Sequence, residues 1–401
     1  MTEFPPTRTE ALRRLNAFVP KAGRDYAAKR NYDLPGHPHV SGLSPYIRHR
    51  LITEDEVLSA VLARFAPSTA EKFVQEVFWR TYWKGWLEMR PGVWRVYQGS
   101  LNGALNRVQT EAGLRTRWEE ACGGMTGIDC FDHWAQELAE TGYLHNHARM
   151  WFASIWCFTL RLPWQLGADF FLRHLLDGDP ASNTLGWRWV AGLQTPGKTY
   201  TATASNIARY TEGRFNPLHQ LTPVTAPVEG LPNPPHSDPP QSGAWDPGKR
   251  TGLLLTEDDL SPGFLFAQGL RPAATAVLLG TGARSPLTVS PHVVAFTTAA
   301  AEDAVARFSD RLGPVTSPTE DPVAIAAWAG ENGLDQIVLP YAPVGPAADR
   351  IAALADLTEV PVIQVLRPSD QRAWPQATHG FYRFKENIPR LIADLKGLKA
   401  A

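Results

Sequence analysis

Cysteine is scarce: Cys122, Cys130 and Cys157 are the only three in 401 residues. They form no C-x-x-C pair and no even set, so a disulfide framework is excluded and a reducing, cytoplasmic setting is expected. Three thiols are also too few to hold a four-cysteine iron–sulfur cluster unaided. No run of 18 apolar residues occurs, so no span of a bilayer is expected. Met1 to Glu10 lacks the apolar segment of a secretory leader. Charge of one sign is lacking too: 39 Lys and Arg stand against 40 Asp and Glu, a net charge of −1. The halves differ, however. Residues 1–216 carry 25 basic against 21 acidic residues, about +4, and residues 251–401 carry 12 against 16, about −4. The first half is thus compatible with a polyanionic partner without bearing a strong nucleic-acid signature.

Tryptophan is abundant. Of 14 in the chain, 11 lie between Trp79 and Trp189. Such density fits either an aromatic-rich helical core or a planar ligand, a base-stacking surface or an electron path. The same half reads as helices. Leu12, Leu15 and Phe18 keep helical spacing over 10–18, and Thr53-Glu54-Asp55-Glu56 is a capping-box start for a helix through Val57, Leu58 and Val61. Further helices are expected over 69–89, 129–141, 146–160 and 167–176. Residues 217–250 form a linker, because Pro232, Pro234, Pro235, Pro239, Pro240 and Pro247 sustain neither helix nor sheet. Beyond it, β-rich runs at 252–256, 276–280, 293–298, 336–341 and 360–366 alternate with helical stretches at 299–312 and 322–332. That alternation predicts an open, mainly parallel sheet. The second half has no G-x-G-x-x-G and no G-x-x-x-x-G-K-[ST], so no nucleotide is identified there by motif.

Several short patterns carry chemistry of their own. Ser41-Gly42-Leu43-Ser44 places small hydroxyls and free amides before a helix-favouring stretch, which suits either a phosphate-binding turn or an N-cap. Asp177-Gly178-Asp179-Pro180 is a turn by composition. His145-Asn146-His147 invites a metal, but residues two apart on a helix point to different sides, so a shared metal is not expected.

In order, the chain contains TGIDCFDHWAQELAETGYLHNHARM (126–150), LPWQLGADFFLRHLLDGDPASN (162–183) and GWRWVAG (186–192). Upstream lie Tyr26-Ala27-Ala28-Lys29-Arg30-Asn31, Ser41-Gly42-Leu43-Ser44-Pro45-Tyr46 and Gln75-Glu76-Val77-Phe78-Trp79-Arg80-Thr81-Tyr82. This series resembles the flavin-binding core of the DNA photolyase and cryptochrome family and covers about half of the chain. The resemblance implies an all-helical FAD-binding domain over 1–216, then a smaller Rossmann-like or flavodoxin-like, mainly parallel α/β domain over 251–401. Relatives carry the α/β antenna domain first. Here 307–313, 335–341, 360–366 and 379–384 resemble it, so the domain order is either permuted or the second half is an unrelated α/β domain. No antenna pigment is assignable.

The resemblance also implies residue roles. Tyr26, Ser41, Gly42, Leu43, Ser44, Arg80, Tyr143, Arg149, Asp177, Asp179 and Asn183 would bind FAD. Arg149 would pair with Asp177, and Asn183 would face flavin N5 with a neutral amide, favouring the fully reduced flavin. Trp187 and Trp164 match the proximal and middle members of an electron relay. The distal member has no convincing match in Trp118 or Trp94; Trp156, Trp151 or a tyrosine are the alternatives. Glu76, Trp79, Asn146 and Met150 match positions that contact a flipped-out pyrimidine dimer. Asn146 and Met150 stand where the (6-4) branch has histidines, which argues against that chemistry. Asn206 and Ile207 match the end of the FAD site. The implied activity is light-driven repair of cyclobutane pyrimidine dimers in UV-damaged DNA, single- or double-stranded, by a monomer. The rival is a cryptochrome-type photoreceptor without repair.

Overall fold

The computed structural model describes residues 4–223, 225–393 and 395. Its first half is helical, and each helix start has a local cause. Thr7 accepts from Glu10 N and caps Arg8–Phe18, which buries Ala11, Leu15 and Phe18. Thr53 and Glu56 form the expected reciprocal capping box at the head of Glu54–Leu62. The helices Glu71–Glu88, Asp129–Thr141 and Asn146–Ser154 fall where apolar spacing predicts them. The last of these runs on through a π turn at Ile155–Thr159, and the next helix, Trp164–His174, starts earlier than its spacing suggests. Gly92–Thr110, Ala112–Gly123, Pro180–Val190 and Ala204–Tyr210 are helices without a counterpart in the expectation.

The proline-rich stretch has neither helix nor strand between residues 225 and 246, yet it is tied down. Val228 N donates to Ala191 O, Ser237 N to Met89 O and Gly243 N to Gln364 O, each within 3.0 Å. Asn233 accepts from Arg188 at 2.7 Å. The linker thus runs along the helical half before reaching the sheet.

Four parallel strands follow: β1 (Thr251–Leu255), β2 (Ala274–Val277), β3 (Gln336–Pro340) and β4 (Val362–Val365), in spatial order β2-β1-β3-β4. β1, β2 and β3 are buried at every position, as expected of strands with helices on both faces. One expected strand is wrong. Residues 293–298 belong to the helix Pro291–Arg307, whose buried Val293, Phe296, Thr297, Ala300, Ala301 and Ala304 keep a helical period. Pro291 at its first turn and the alanine-rich continuation decide the matter over the local β-branched run.

The carboxyl ends of β1 and β3, where the strand order reverses, face the helical half. Gly345, just past β3, lies so near Pro180 that a Cβ there would sit 2.7 Å from its ring. Charged groups fill the seam. Arg48 is buried against Asp258, and Arg50 bonds Asp370 at 2.7 Å and Asp259 at 3.1 Å. A single apolar core runs from the helices into one face of the sheet. Among the described residues no helix is long and apolar enough to cross a membrane.

Candidate functional site

The segment from Leu175 to Pro180 builds one wall of the site. The helix Trp164–His174 ends, Gly178 N closes a turn on Leu175 O at 3.0 Å, and Asp179 caps Pro180–Val190 by accepting from Ser182 N at 2.9 Å. Gly178 is required by space: a Cβ there would meet the Arg284 guanidinium and two carbonyls at 3.0–3.1 Å. The turn composition and the site are therefore one device, a tight cap that turns Asp177 and Asp179 toward a cavity of about 600 Å³. That volume lies within the range of small-molecule and cofactor sites.

Eleven of the sequence-predicted site residues line this cavity: Tyr26, Glu76, Trp79, Arg80, Asn146, Arg149, Met150, Asp177, Asp179, Asn183 and Trp187. They come from segments more than 150 residues apart in sequence and meet only through the fold. Arg149 Nη2 donates to Asp177 Oδ2 at 2.9 Å, as the resemblance implies, while Arg149 Nε donates to Leu144 O. Asn183 Nδ2 donates to Ala168 O at 2.8 Å, which leaves its Oδ1 as the amide atom unused by that bond. Asp179 is completely enclosed. Burial opposes its charge, but Lys84, Arg80 and Arg48 outweigh burial and hold its carboxyl far below the usual range. Lys84 Nζ lies 3.4 Å from Asp179 Oδ1.

Three polar groups on this wall are buried with no hydrogen-bond partner among the described residues: Asp177 Oδ1, Trp187 Nε1, and Arg80 Nε and Nη2. Arg80 Nε approaches Glu54 only to 3.7 Å. Buried polar atoms are costly when left unpaired, so a wall of one free acceptor, a free amide oxygen and free donors calls for a polar planar ligand. An isoalloxazine edge, with alternating N–H and carbonyl groups, fits that donor set.

Across the cavity, Glu76 pairs with Arg30. Trp79 stacks face to face on Phe381, with centroids 3.7 Å apart and planes 12° from parallel. One face of Trp79 is therefore covered by the second half of the chain. Asn146 begins its helix, which His145 caps through Nδ1 accepting from His147 N at 3.1 Å. His147 bonds Asn31 O and Tyr200 OH, so the two histidines serve different bonds.

Eight predicted residues lie off the cavity wall. Ser41 accepts from Leu43 N at 3.3 Å, Leu43 is buried in the core, and Gly42 (φ +61°) approaches Arg14, so Ser41, Gly42, Leu43 and Ser44 form a turn leading into Ser44–Arg48. Val40 lines the cavity in their stead. Tyr143 packs behind Arg149, against Phe4 and His37. Trp164 packs against Tyr97 with ring centroids 5.7 Å apart, and Tyr97 against Trp94 at 5.3 Å, both pairs tilted. Trp187 instead meets Phe171 at 5.1 Å and Trp156 at 6.1 Å. Asn206 accepts from Trp151 at 2.9 Å, and Ile207 is buried. Sequence reading missed Arg30, Trp83, Lys84, Trp189 and Tyr382. Only the clustering of tryptophan hinted at Trp83 and Trp189; nothing in the sequence marks Lys84 or Tyr382.

The family model "FAD binding domain of DNA photolyase" matches residues 73–221. The deoxyribodipyrimidine photo-lyase of Synechococcus sp. is 32% identical over 224 residues, which is 51% of this chain and 45% of that enzyme. That of Alkalihalophilus pseudofirmus is 32% identical over 193 residues, 47% of this chain and 39% of the enzyme. The chain thus spans less than half the length of the curated relatives it matches. Among solved structures, a class III photolyase from Agrobacterium tumefaciens is 25% identical with a TM-score of 0.42, covering 51% of this chain and 42% of that one. A Synechocystis cryptochrome is 22% identical with a TM-score of 0.45, covering 52% and 44%.

Proposed function

Because the helical half of the chain belongs to the photolyase and cryptochrome family and carries its FAD-binding domain, we propose that the protein is a light-dependent DNA repair flavoprotein that splits cyclobutane pyrimidine dimers. When bound and reduced, FAD would supply under blue light, and then recover, the one electron that opens the cyclobutane ring. The chain's own residues bind, orient and set charge.

Asp177, fixed by Arg149, would hold the flavin through its free Oδ1, Arg80 and Trp187 through their unpaired donors, and Asn183 through its amide oxygen. Asp179 stays ionised because Lys84, Arg80 and Arg48 surround it. Glu76, Trp79, Asn146 and Met150 face the lesion, with Glu76 accepting from a thymine and Trp79 stacking through the face that Phe381 leaves open. Trp187, which meets Trp156, would be the proximal member of the path by which the site exchanges electrons with the surface, while Trp164 packs with Tyr97 and Tyr97 with Trp94 in the core. The α/β half is read as the family's antenna-type domain, set after the helical half.

The observation that carries this reading is that one cavity joins Asp177, Asp179 and Asn183 to Glu76, Trp79, Asn146 and Met150. The second reading, a photoreceptor without repair, draws on Phe381 covering one face of Trp79. The test is chromatographic measurement of thymine-dimer loss under blue light, on single- and double-stranded DNA. Dimer loss that needs both light and flavin is expected; photoreduction of the flavin with dimers persisting in both substrates leaves the photoreceptor reading.

A further inference from the structure

The tail of the α/β half reaches the mouth of the cavity. In the short helix Phe381–Lys385, Phe381 and Phe384 point inward and are buried, Phe381 against Trp79 and Tyr82, Phe384 against Tyr82. Tyr82 also donates its hydroxyl to His379 O at 2.9 Å, so the segment is anchored on both sides of the turn. Tyr382, next to Phe381 on this helix, is thereby turned outward. It is 82% exposed, the most exposed large hydrophobic side chain described, and it lines the same cavity as Trp79 and Trp83. A large ring held in water by a rigid helix gains nothing for the fold.

We propose that Tyr382 is a stacking platform for DNA, contributed by the second half of the chain to the substrate mouth of the first. The ring takes a base next to the flipped pyrimidine pair, while Arg383, 74% exposed on its side chain, offers a cation to the adjacent phosphate. Its neighbour Glu386, 3.9 Å away and also exposed, restrains Arg383 only weakly. Phe381 has the complementary task of fixing Trp79, so that the two aromatic surfaces keep a set separation. The proposal rests on the repair reading and names its partner, a DNA strand that carries a pyrimidine dimer.

The experiment uses the full-length, flavin-loaded protein in the dark at fixed salt. A fluorescein-labelled single strand with one cyclobutane thymine dimer, and its undamaged twin, are titrated and read by anisotropy. Tyr382→Ala is expected to weaken binding of the damaged strand about 5- to 100-fold, the span of one lost base–aromatic stack, while Tyr382→Trp stays within about 3-fold of wild type. Flavin absorbance and melting temperature should not move, because the side chain is exposed. Unchanged strand affinity in Tyr382→Ala overturns the proposal, as does an effect confined to flavin retention, which would make Tyr382 a cover for the cofactor. Weakened binding in a protein that leaves dimers intact under light sinks the repair reading but keeps the stacking contact. A wild-type protein that binds neither strand sinks both.

Discussion

Asp177 illustrates how unevenly a residue's partners are divided at this site. One carboxylate oxygen is held by Arg149, and the other is buried without a partner on the cavity wall. Removing Arg149 leaves a buried carboxylate with neither cation nor donor. Arg149→Ala should lower stability by about 1–3 kcal/mol in the flavin-free protein, read as a shift in urea midpoint. It should also lower flavin retention through gel filtration. A midpoint within error of wild type would show that the pair contributes nothing to the fold. The pairing of Arg149 with Asp177 was legible because the family resemblance implied it. Lys84 was not legible: a lysine four residues after Arg80 reads as a solvated charge until the fold buries it beside Asp179.

At the scale of elements, close approach between helices decides more than propensity does. Gly167 lies inside Trp164–His174, where alanine would be favoured by about 1 kcal/mol. A Cβ at that position would sit 2.3 Å from Trp187 and 2.9 Å from Trp156. Overpacking of that kind costs about 1–3 kcal/mol, so the steric term outweighs the propensity term. Gly167→Ala should lower the melting temperature and shift tryptophan fluorescence, because Trp187 must move away from the cavity wall. A raised melting temperature would mean that the helices separate freely. The same lesson explains the errors of element assignment. The run Val293-Val294-Ala295-Phe296-Thr297-Thr298 has strand composition, but its neighbours extend a helical pattern of burial through Ala304. Gly92–Thr110 escapes notice for the opposite reason, since glycines at 92, 99 and 103 weaken its local signal while Trp94, Tyr97 and Leu101 are buried by tertiary packing.

At the scale of the whole molecule, the two halves are joined by buried charge as well as apolar contact. Glu88, on the helix Glu71–Glu88, accepts from Tyr341 OH at 2.7 Å and from Val344 N at 2.6 Å, both in the second half. Burial pushes its carboxyl up to about 7, against the lowering effect of those two donors and Lys84. Because the folded value lies above the unfolded one, the stabilising contribution is complete below about 4.5 and fades as pH rises through 7. The total is on the order of 3 kcal/mol. Glu88→Gln removes this titration, so its stability relative to wild type should rise as the pH goes from 4.5 to 8. Parallel curves of melting temperature against pH would show that Glu88 does not titrate in that window.

Composition and spacing alone determined a helical first half, a proline-rich connector and a parallel-stranded second half, and motif order, through the family resemblance, picked out Arg149, Asp177, Asp179 and Asn183, which line one cavity. The elements follow from local spacing, capping and turn chemistry, which act over a few residues. Only the tertiary structure decided that Ser41–Ser44 and Tyr143 stand off the cavity wall, that Trp164 continues into Tyr97 rather than touching Trp187, and that Phe381 and Tyr382 reach the mouth built around Trp79. The physical reason is range: a stack between residues 79 and 381 exists only after the second half has docked, and no local pattern encodes which surfaces meet.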